Sequence, residues 1–399
     1  MDGPPIYLDN AASTRPAPEV AAAIAAAAAD LYANPSSAHA GGAAAARALE
    51  EARAAVLAAL GTDAGQLVFT SGGTEANALG VLGAAGAGRG GHVVATAIEH
   101  ASVLRNVERL AAGAGAGFTT TLVPPDGQTG VVPAEAVAAA LRPDTQVVAV
   151  MLVNNELGTV QPIAAIARAV EAHAARHGTR RPHLHVDAVQ ALGQLPIRAA
   201  SLGADSLALS AHKIQGGKGA GALWVRAGAR VTALWDGGRQ ERGLRSGTEN
   251  VPAIVGFGRA AALARAALAA GSGETIAQLR DTLEARVLEK IRGATRTVPE
   301  TGVRAPHIAS LSFPGLPAEP LLHALEARGV LASAGSACAS KTRGPSHVLK
   351  AVGVDDRTAV LRLSLSRETT ADEIARAARA LEEAAAELGA PVGGHRRRA

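Results

Sequence analysis

The chain has 399 residues, of which 48% are apolar, so it can bury a sizeable core and accommodate a large domain with a smaller companion. The formal net charge is +4, acidic residues nearly match basic ones, and the longest basic block is the three arginines at 396–398, so no direct nucleic-acid partner is expected. The single cysteine excludes an internal disulfide framework and a multi-cysteine metal site.

Cellular location follows from two further features of the sequence. The first ten residues, MDGPPIYLDN, lack the charged segment and apolar run of a secretory signal peptide. No stretch approaches the roughly 18 uninterrupted apolar residues of a membrane span. We therefore expect a cytoplasmic protein in a reducing compartment, without a membrane partner.

The first two-thirds of the chain alternate short β-rich runs with helical segments. The apolar runs that predict strands are 66–70, 92–97, 147–153, 183–186, 206–210 and 221–225. The segments that predict helices between them are 43–60, 74–82, 133–141 and 163–177. The strands are apolar on both faces, which is typical of a buried, mainly parallel sheet with helices on both sides. The sequence thus predicts an α/β fold.

The pattern changes after about residue 256. Long Ala/Arg/Glu/Leu helices over 257–292 and 371–388 bracket two strand-like runs, 307–313 and 360–365. We expect a large cofactor-binding domain over 16–256, and a smaller α+β domain formed by 1–15 and 257–399.

The segment Thr70–Asn77 is the first candidate site. A strand runs into two glycines and then into a helix opened by Thr74. Free backbone N–H groups and the positive end of the helix favour an anion there. Taken alone, the segment is equally well explained as an ordinary turn with a capped helix.

Lys213 follows the strand 206–210 and precedes a glycine-rich turn, Gly216–Gly219. An amine partly removed from water at the end of a strand has a lowered pKa and can form a Schiff base with an aldehyde. Most lysines are solvated surface groups. The Ser and His beside this one, and the anion-type turn upstream, favour a functional amine.

Asp187 directly follows the predicted strand 183–186. A carboxylate there is costly to bury unless it meets a cation, and a protonated pyridine nitrogen is such a cation. A helix-capping aspartate is the alternative. His100 and Asn155 also follow predicted strands, and ligands of open α/β sheets bind at the carboxyl ends of strands.

Cys338 lies in a Ser/Gly/Ala-rich segment with no apolar periodicity. A lone cysteine is usually a small buried apolar residue. This composition instead predicts an accessible, mobile loop over about 332–346. Lys341 and Arg343 would favour the nucleophilic thiolate.

Taken together, these motifs resemble those of the cysteine desulfurases, which are class V members of the fold-type-I pyridoxal-phosphate enzymes. The resemblance runs from YLDNAA at 7–12 to about residue 374. The matching segments are NPSS at 34–37, FTSGGTEAN at 69–77, IEH at 98–100, NNELGTVQPI at 154–163, HVDAVQA at 185–191, SAHK at 210–213, RSGTEN at 245–250 and GSAC at 335–338.

The resemblance implies pyridoxal 5′-phosphate as cofactor. Lys213 would hold it as a Schiff base, Asp187 would pair with its pyridine nitrogen, and Gln190 would bond its ring hydroxyl. His100 would stack on the ring and act as an acid/base toward the substrate thiol.

The resemblance also implies how the phosphate is held. Gly73, Thr74, Ser210 and His212 would bind it, helped by Thr248 from a neighbouring subunit. A homodimer is therefore expected.

For the substrate, the resemblance implies that Asn155 and Arg362 engage the carboxylate of L-cysteine, since the planar fork of arginine matches a carboxylate. Cys338 would receive the sulfur as a persulfide, and alanine would leave. GSAC at 335–338, with its long spacing to Pro345, is similar to the longer-loop group. That group passes sulfur to an acceptor, an iron–sulfur scaffold or a tRNA-thiolating enzyme.

Two other functions are compatible with this sequence. A class V aminotransferase or another lyase, including one acting on selenocysteine, would need Lys213 and Asp187 but no nucleophilic cysteine. A partner-binding scaffold of the same fold would need none of them. The sequence departs from the family pattern at Gln215, Gly217 and Arg239, and Arg239 would strain the turn if its φ were positive.

Overall fold

The computed structural model describes residues 4–86, 90–113, 117–298, 302–335 and 346–390. In chain order, the strands of these residues are β1 (Ile6–Tyr7), β2 (Gln66–Thr70), β3 (Gly91–Thr96), β4 (Phe118–Val123), β5 (Thr145–Met151), β6 (His183–Asp187), β7 (Ser206–Ser210), β8 (Gly221–Val225), β9 (Thr295–Arg296), β10 (Ile308–Pro314), β11 (Val330–Leu331) and β12 (Thr358–Ser364).

The helices connect and cover these strands. In chain order they are α1 (Pro18–Asp30), α2 (Ala40–Ala59), α3 (Gly73–Ala85), α4 (Ala101–Ala111), α5 (Ala134–Ala140), α6 (Ile163–His177), α7 (Ala199–Leu202), α8 (Val251–Ala269), α9 (Ser272–Lys290), α10 (Ala318–Glu326), α11 (His347–Ala351) and α12 (Ala371–Glu387).

The central sheet has seven strands in the order β2-β8-β7-β6-β5-β3-β4. β4, β3, β5, β6 and β7 are parallel neighbours, whereas β8 runs antiparallel to both β2 and β7. Strands β6, β7 and β8 are buried at every residue, as expected for strands in the interior of the sheet. The prediction of an α/β fold with a mainly parallel sheet is confirmed.

The predicted elements of this region recur with small differences at their ends. The strands 66–70, 206–210 and 221–225 and the helix 163–177 have the predicted bounds. Strand β4 was not predicted, because its three consecutive threonines give neither an apolar run nor an apolar/polar alternation. It lies at the edge of the sheet, where polar side chains are tolerated.

Helix α8 packs against α1 and α2 as part of the larger apolar core. By length and composition alone α8 could span a membrane, but half of its most apolar stretch is buried within the protein. Its core residues extend to Ala264, beyond the predicted domain boundary at residue 256. The division of the chain into domains remains a prediction.

A second apolar core contains residues of α9, α10 and α12 and the sheet β12-β10-β9. The N-terminal segment joins this core through β1, which pairs in parallel with β11. The backbone then continues past β12, where Asn10 donates to the carbonyl of Ser364 at 2.8 Å. This path brings the carbonyl groups of Ala11 and Ala12 to the carboxyl edge of the large sheet.

Candidate active site

A cavity of about 280 Å³ lies at the carboxyl ends of β5, β6 and β7. Parallel strands present their ends along one edge, so side chains far apart in sequence meet there. Ten of the predicted site residues line this cavity: Gly73, Thr74, His100, Asn155, Asp187, Gln190, Ser210, His212, Lys213 and Arg362.

Lys213 ends a short helical turn that follows β7 directly. Its Nζ donates to the carbonyl oxygens of Ala11 and Ala12 at 2.5 and 2.8 Å. The amine is half-buried and held at the cavity wall by backbone oxygens. It therefore has the placement of an amine that reacts with a carbonyl compound.

Asp187 is the last residue of β6 and is 6% exposed. One carboxylate oxygen accepts from the backbone N–H of Val189 at 3.0 Å. The other accepts from Asn77 Nδ2 at 2.7 Å. These two bonds fix the plane of the carboxylate where it lines the cavity.

The predicted anion site combines a helix end with an unpartnered hydroxyl. Helix α3 starts at Gly73, and no side chain caps its first turn. A Cβ on Gly73 would lie 2.7 Å from Val189, so only glycine fits there. The Ser210 hydroxyl is buried and has no hydrogen-bond partner among the described residues. Burial and the neighbouring Lys213 and Lys218 lower the pKa of His212 to about 4.

His100 lies at the N-terminus of α4, and its Nδ1 accepts from the Ser102 backbone N–H at 3.1 Å. The Ser102 hydroxyl lies 2.8 Å from the same nitrogen. Burial lowers the pKa of His100, so the neutral ring is favoured. With Nδ1 acting as an acceptor, the proton of the neutral ring lies on Nε2.

Glu99, next to His100, is fully buried without an ion-pair partner in the described structure. Its Oε1 accepts from the Thr96 hydroxyl and from the Met151 N–H, while Oε2 has no partner. Burial, with a smaller contribution from the Asp187 carboxylate, raises the pKa of Glu99 to about 8. Glu99 is thus mainly protonated at neutral pH, which leaves Asp187 as the negative group.

Both ends of the Gln190 amide are engaged. Nε2 donates to the carbonyl of Ala11 at 2.8 Å, and Oε1 lies 3.1 Å from His307 Nε2. His307 is buried, and burial lowers its pKa to about 3, so its neutral ring donates to Gln190 from Nε2. The second hydrogen of Gln190 Nε2 is the donor left for a ligand. Sequence reasoning missed His307, which directly precedes β10.

Arg362 and Asn155, both predicted to engage the substrate carboxylate, are in contact through the Asn155 backbone. Arg362 donates to the Asn155 carbonyl at 2.9 Å and to the Asp9 carboxylate at 2.8 Å. Its Nε is buried without a partner. The guanidinium is therefore held at the cavity wall with donor capacity left for a carboxylate.

Two predicted site residues are not among those that line the cavity. Thr248 is exposed, and its assignment to the site of a neighbouring subunit remains a prediction. Cys338 and most of the predicted 332–346 loop lie outside the described residues.

The described residues on either side of the Cys338 segment, Gly335 and Ser346, both lie next to Glu156. The Ser346 hydroxyl donates to Glu156 Oε2 at 2.6 Å. On the other flank, a Cβ on Gly335 would lie 2.9 Å from the same oxygen. Burial raises the pKa of Glu156. One buried carboxyl group therefore lies between both ends of this segment.

The departures from the family pattern leave the cavity intact. Arg239 has φ of −87°, so the strain considered for a positive φ does not arise. Gln215 does adopt a positive φ of 63°, and its N–H donates to the Thr14 hydroxyl at 2.8 Å.

These residues fit pyridoxal 5′-phosphate. The unpartnered Ser210 hydroxyl and the uncapped start of α3 match a phosphate, since both offer donors without acceptors. The fixed carboxylate of Asp187 matches a protonated ring nitrogen, and Lys213 matches the aldehyde. The arrangement defines a class of protein: an α/β enzyme of the pyridoxal-phosphate type.

Comparison with known proteins gives the family. The aminotransferase class-V family model matches residues 6–377. A cysteine desulfurase of Cereibacter sphaeroides is 42% identical over 375 residues, which are 93% of each chain.

Solved structures agree. A NifS-like protein superposes with a TM-score of 0.86 at 32% identity and covers 96% of this chain and all of its own. A structure described as SspA in complex with cysteine gives a TM-score of 0.77 at 32% identity, covering 92% of this chain and 100% of its own. The chain therefore belongs to the class-V aminotransferase family, within its cysteine desulfurase group, whose enzymes depend on pyridoxal 5′-phosphate.

Proposed function

We propose that this protein is a pyridoxal 5′-phosphate-dependent cysteine desulfurase that converts L-cysteine to L-alanine and retains the sulfur as a persulfide on Cys338. The observation that carries the proposal is the convergence of Lys213, Asp187, His100 and the unpartnered Ser210 hydroxyl on one cavity. The relative described as a complex with cysteine supports the choice of substrate.

Each residue of the cavity has a separate task. Lys213 supplies the amine that would hold the cofactor, and Asp187 supplies the negative charge that would keep the ring nitrogen protonated. When bound, pyridoxal 5′-phosphate supplies an aldehyde that condenses with amines and a ring that accepts the electron pair released at the substrate's α carbon.

Two further side chains of the cavity orient the substrate. Arg362 offers its remaining N–H donors to the cysteine carboxylate. His100 offers an N–H donor from Nε2, which favours hydrogen bonding to a substrate atom over proton abstraction by the neutral ring. The resemblance implies an acid/base role for His100, and this geometry supports a role as a hydrogen-bond donor.

The sulfur transfer itself requires a nucleophile. The Cys338 thiolate attacks the sulfur of cysteine, an S–S bond forms, the Cβ–S bond breaks, and the carbon takes up a proton to leave as alanine. Because Cys338 is the only cysteine in the chain, a persulfide on the protein must form there. An aminotransferase or another lyase would not need this residue.

The test compares Cys338→Ala with the wild-type protein. We expect the variant to keep the visible absorption of the bound cofactor but to form no alanine from L-cysteine. Lys213→Ala should lose the absorption band that depends on the lysine. Unchanged alanine formation by Cys338→Ala would refute the desulfurase assignment, and an unchanged band in Lys213→Ala would refute the cofactor assignment.

The acceptor and the assembly are further parts of the proposal. We propose a cytoplasmic homodimer in which Thr248 reaches the phosphate site of its partner, and a sulfur acceptor that is an iron–sulfur scaffold or a tRNA-thiolating enzyme. Trapping the persulfide with labelled cysteine, and then identifying the co-purifying protein that takes the label, tests the acceptor. Thr248→Ala should weaken cofactor retention if the neighbouring subunit contributes.

A further inference from the structure

A buried series of polar side chains runs from Asp187 along β6 toward the opposite edge of the large sheet. Asn77 Nδ2 lies 2.7 Å from Asp187, and Asn77 Oδ1 lies 3.0 Å from His185 Nε2. His185 Nδ1 lies 2.9 Å from the Ser206 hydroxyl, which lies 2.8 Å from His183 Nε2. We call Asn77, His185, Ser206 and His183 the polar series.

The chemistry of Asp187 fixes every proton of the polar series. An ionised carboxylate only accepts hydrogen bonds, so the NH₂ of Asn77 must face it and Asn77 Oδ1 must face His185. His185 must therefore carry its proton on Nε2 and accept at Nδ1 from the Ser206 hydroxyl. Ser206 in turn accepts from His183 Nε2. Every bond donates toward Asp187.

Asn77 also controls the other side of the cavity. The second hydrogen of its NH₂ group is donated to the Ser102 hydroxyl at 2.8 Å. Ser102 then uses its own hydrogen toward His100 Nδ1. One buried amide thus orients the carboxylate on one side and, on the other, directs the Ser102 hydroxyl hydrogen to His100 Nδ1, which also accepts from the Ser102 backbone N–H.

The fold makes room for this arrangement. His183, His185 and Asp187 alternate along β6 and share the face covered by α3, and Ser206 lies directly opposite His185 in β7. A Cβ on Gly80 of α3 would lie 2.2 Å from the His185 ring, so the helix needs glycine where the ring packs. Burial lowers the pKa of His185 to about 3 and that of His183 to about 4, which keeps both rings neutral.

We propose that Asn77 is a positioning residue that fixes the orientation of Asp187 and, through the Ser102 hydroxyl, the hydrogen bonding of His100 Nδ1, and that the polar series holds Asn77 in this orientation. The role of Asp187 toward the cofactor rests on the proposed function, whereas the proton positions do not. The two can therefore fail separately.

The first test needs no cofactor. In ¹⁵N-histidine-labelled protein freed of pyridoxal 5′-phosphate, the ring shifts of His185, His183 and His100 report which nitrogen carries the proton. We expect neutral rings protonated at Nε2 for all three at neutral pH. A proton on Nδ1 of His185 or of His100 would overturn the inference, whatever the enzyme does with cysteine.

The second test uses Asn77→Leu, which keeps approximate volume and removes both donors. We expect its affinity for pyridoxal 5′-phosphate to fall about tenfold or more, as for loss of a hydrogen bond to a charged group. We also expect the His100 ring shifts to change. The matched control is Asn106→Leu in α4, which removes an amide whose hydrogen bond within the described structure is to the Ser102 carbonyl. A folded Asn77→Leu protein with wild-type affinity and unchanged His100 shifts would contradict the proposal.

If Asn77→Leu does not fold, two variants at His185 test the proposal instead. His185→Gln can still donate to Asn77 and accept from Ser206, whereas His185→Met has similar length and can do neither. We expect the glutamine variant to retain most of the affinity and the His100 shifts, and the methionine variant to lose both. A purely space-filling role predicts that the two behave alike, and that result would refute the proposal.

Discussion

Substituting Glu99→Gln tests whether the buried carboxyl group next to His100 is protonated. Glutamine keeps the shape of the side chain, and its Oε1 can still accept from Thr96 and Met151. Its NH₂ group takes the place of the protonated Oε2, which has no partner in either case. The substitution therefore removes the titration of Glu99 while preserving its contacts.

The magnitude follows from the pKa of Glu99. Burial raises it from an ordinary 4.5 to about 8 in the folded protein. Between these values the folded state binds more protons than the unfolded state, so the free energy of unfolding falls as pH rises, by roughly 1.4 kcal/mol per unit. The contribution of Glu99 should thus change by about 2 kcal/mol between pH 6 and 8, and by less than about 0.5 kcal/mol between pH 8 and 9.

The assay is urea unfolding of wild-type and Glu99→Gln protein at pH 6, 7, 8 and 9 with saturating cofactor. We expect the variant to gain stability relative to the wild type as pH rises to 8, after which the difference levels off. Glu135→Gln in the exposed face of α5 is the control, with no comparable trend. A difference that stays constant from pH 6 to 8 would show that Glu99 is ionised in the folded protein, and would refute the reasoning.

Three further predictions concern the phosphate site, the substrate and the core. Ser210→Ala should weaken binding of pyridoxal 5′-phosphate about tenfold but leave binding of unphosphorylated pyridoxal nearly unchanged, as measured by fluorescence titration. Arg362→Lys should raise KM for cysteine more than it lowers kcat in steady-state kinetics, because an ammonium cannot replace the two-pronged contact; an unchanged KM would count against carboxylate binding. Glu241→Leu should lower the free energy of unfolding by about 3–5 kcal/mol in urea, because buried Arg53, bonded to Glu241 at 2.9 and 3.0 Å, would keep only the largely exposed Glu50 as a counter-ion; a loss below about 1 kcal/mol would contradict this.

The parts of the site that could be predicted from the sequence are those set by strand ends. Asp187 ends one fully buried strand and Lys213 follows another, and the geometry of a parallel sheet brings such positions to one edge. Their co-location with Ser210 and His100 therefore needed no knowledge of side-chain contacts.

Asn77 and His307 illustrate what could not be predicted. Asn77 belongs to a recognisable motif, but its role depends on a face of α3 that contacts Asp187, 110 positions away in sequence. His307 reaches Gln190 from a different sheet. Such contacts depend on how separate elements pack, and no local pattern encodes that packing.

The protonation states around the cavity explain why so few charges are available there. Burial lowers the pKa of His100, His212 and His307, and it raises the pKa of Glu99. These groups are therefore mainly neutral near pH 7 and can orient ligands without adding charge. Among the described residues that line the cavity, the charge is left to Lys213, Asp187 and Arg362. Because opposite charges interact more strongly in a partly buried site than in water, these three charges would favour a single orientation of the proposed zwitterionic substrate and cationic ring.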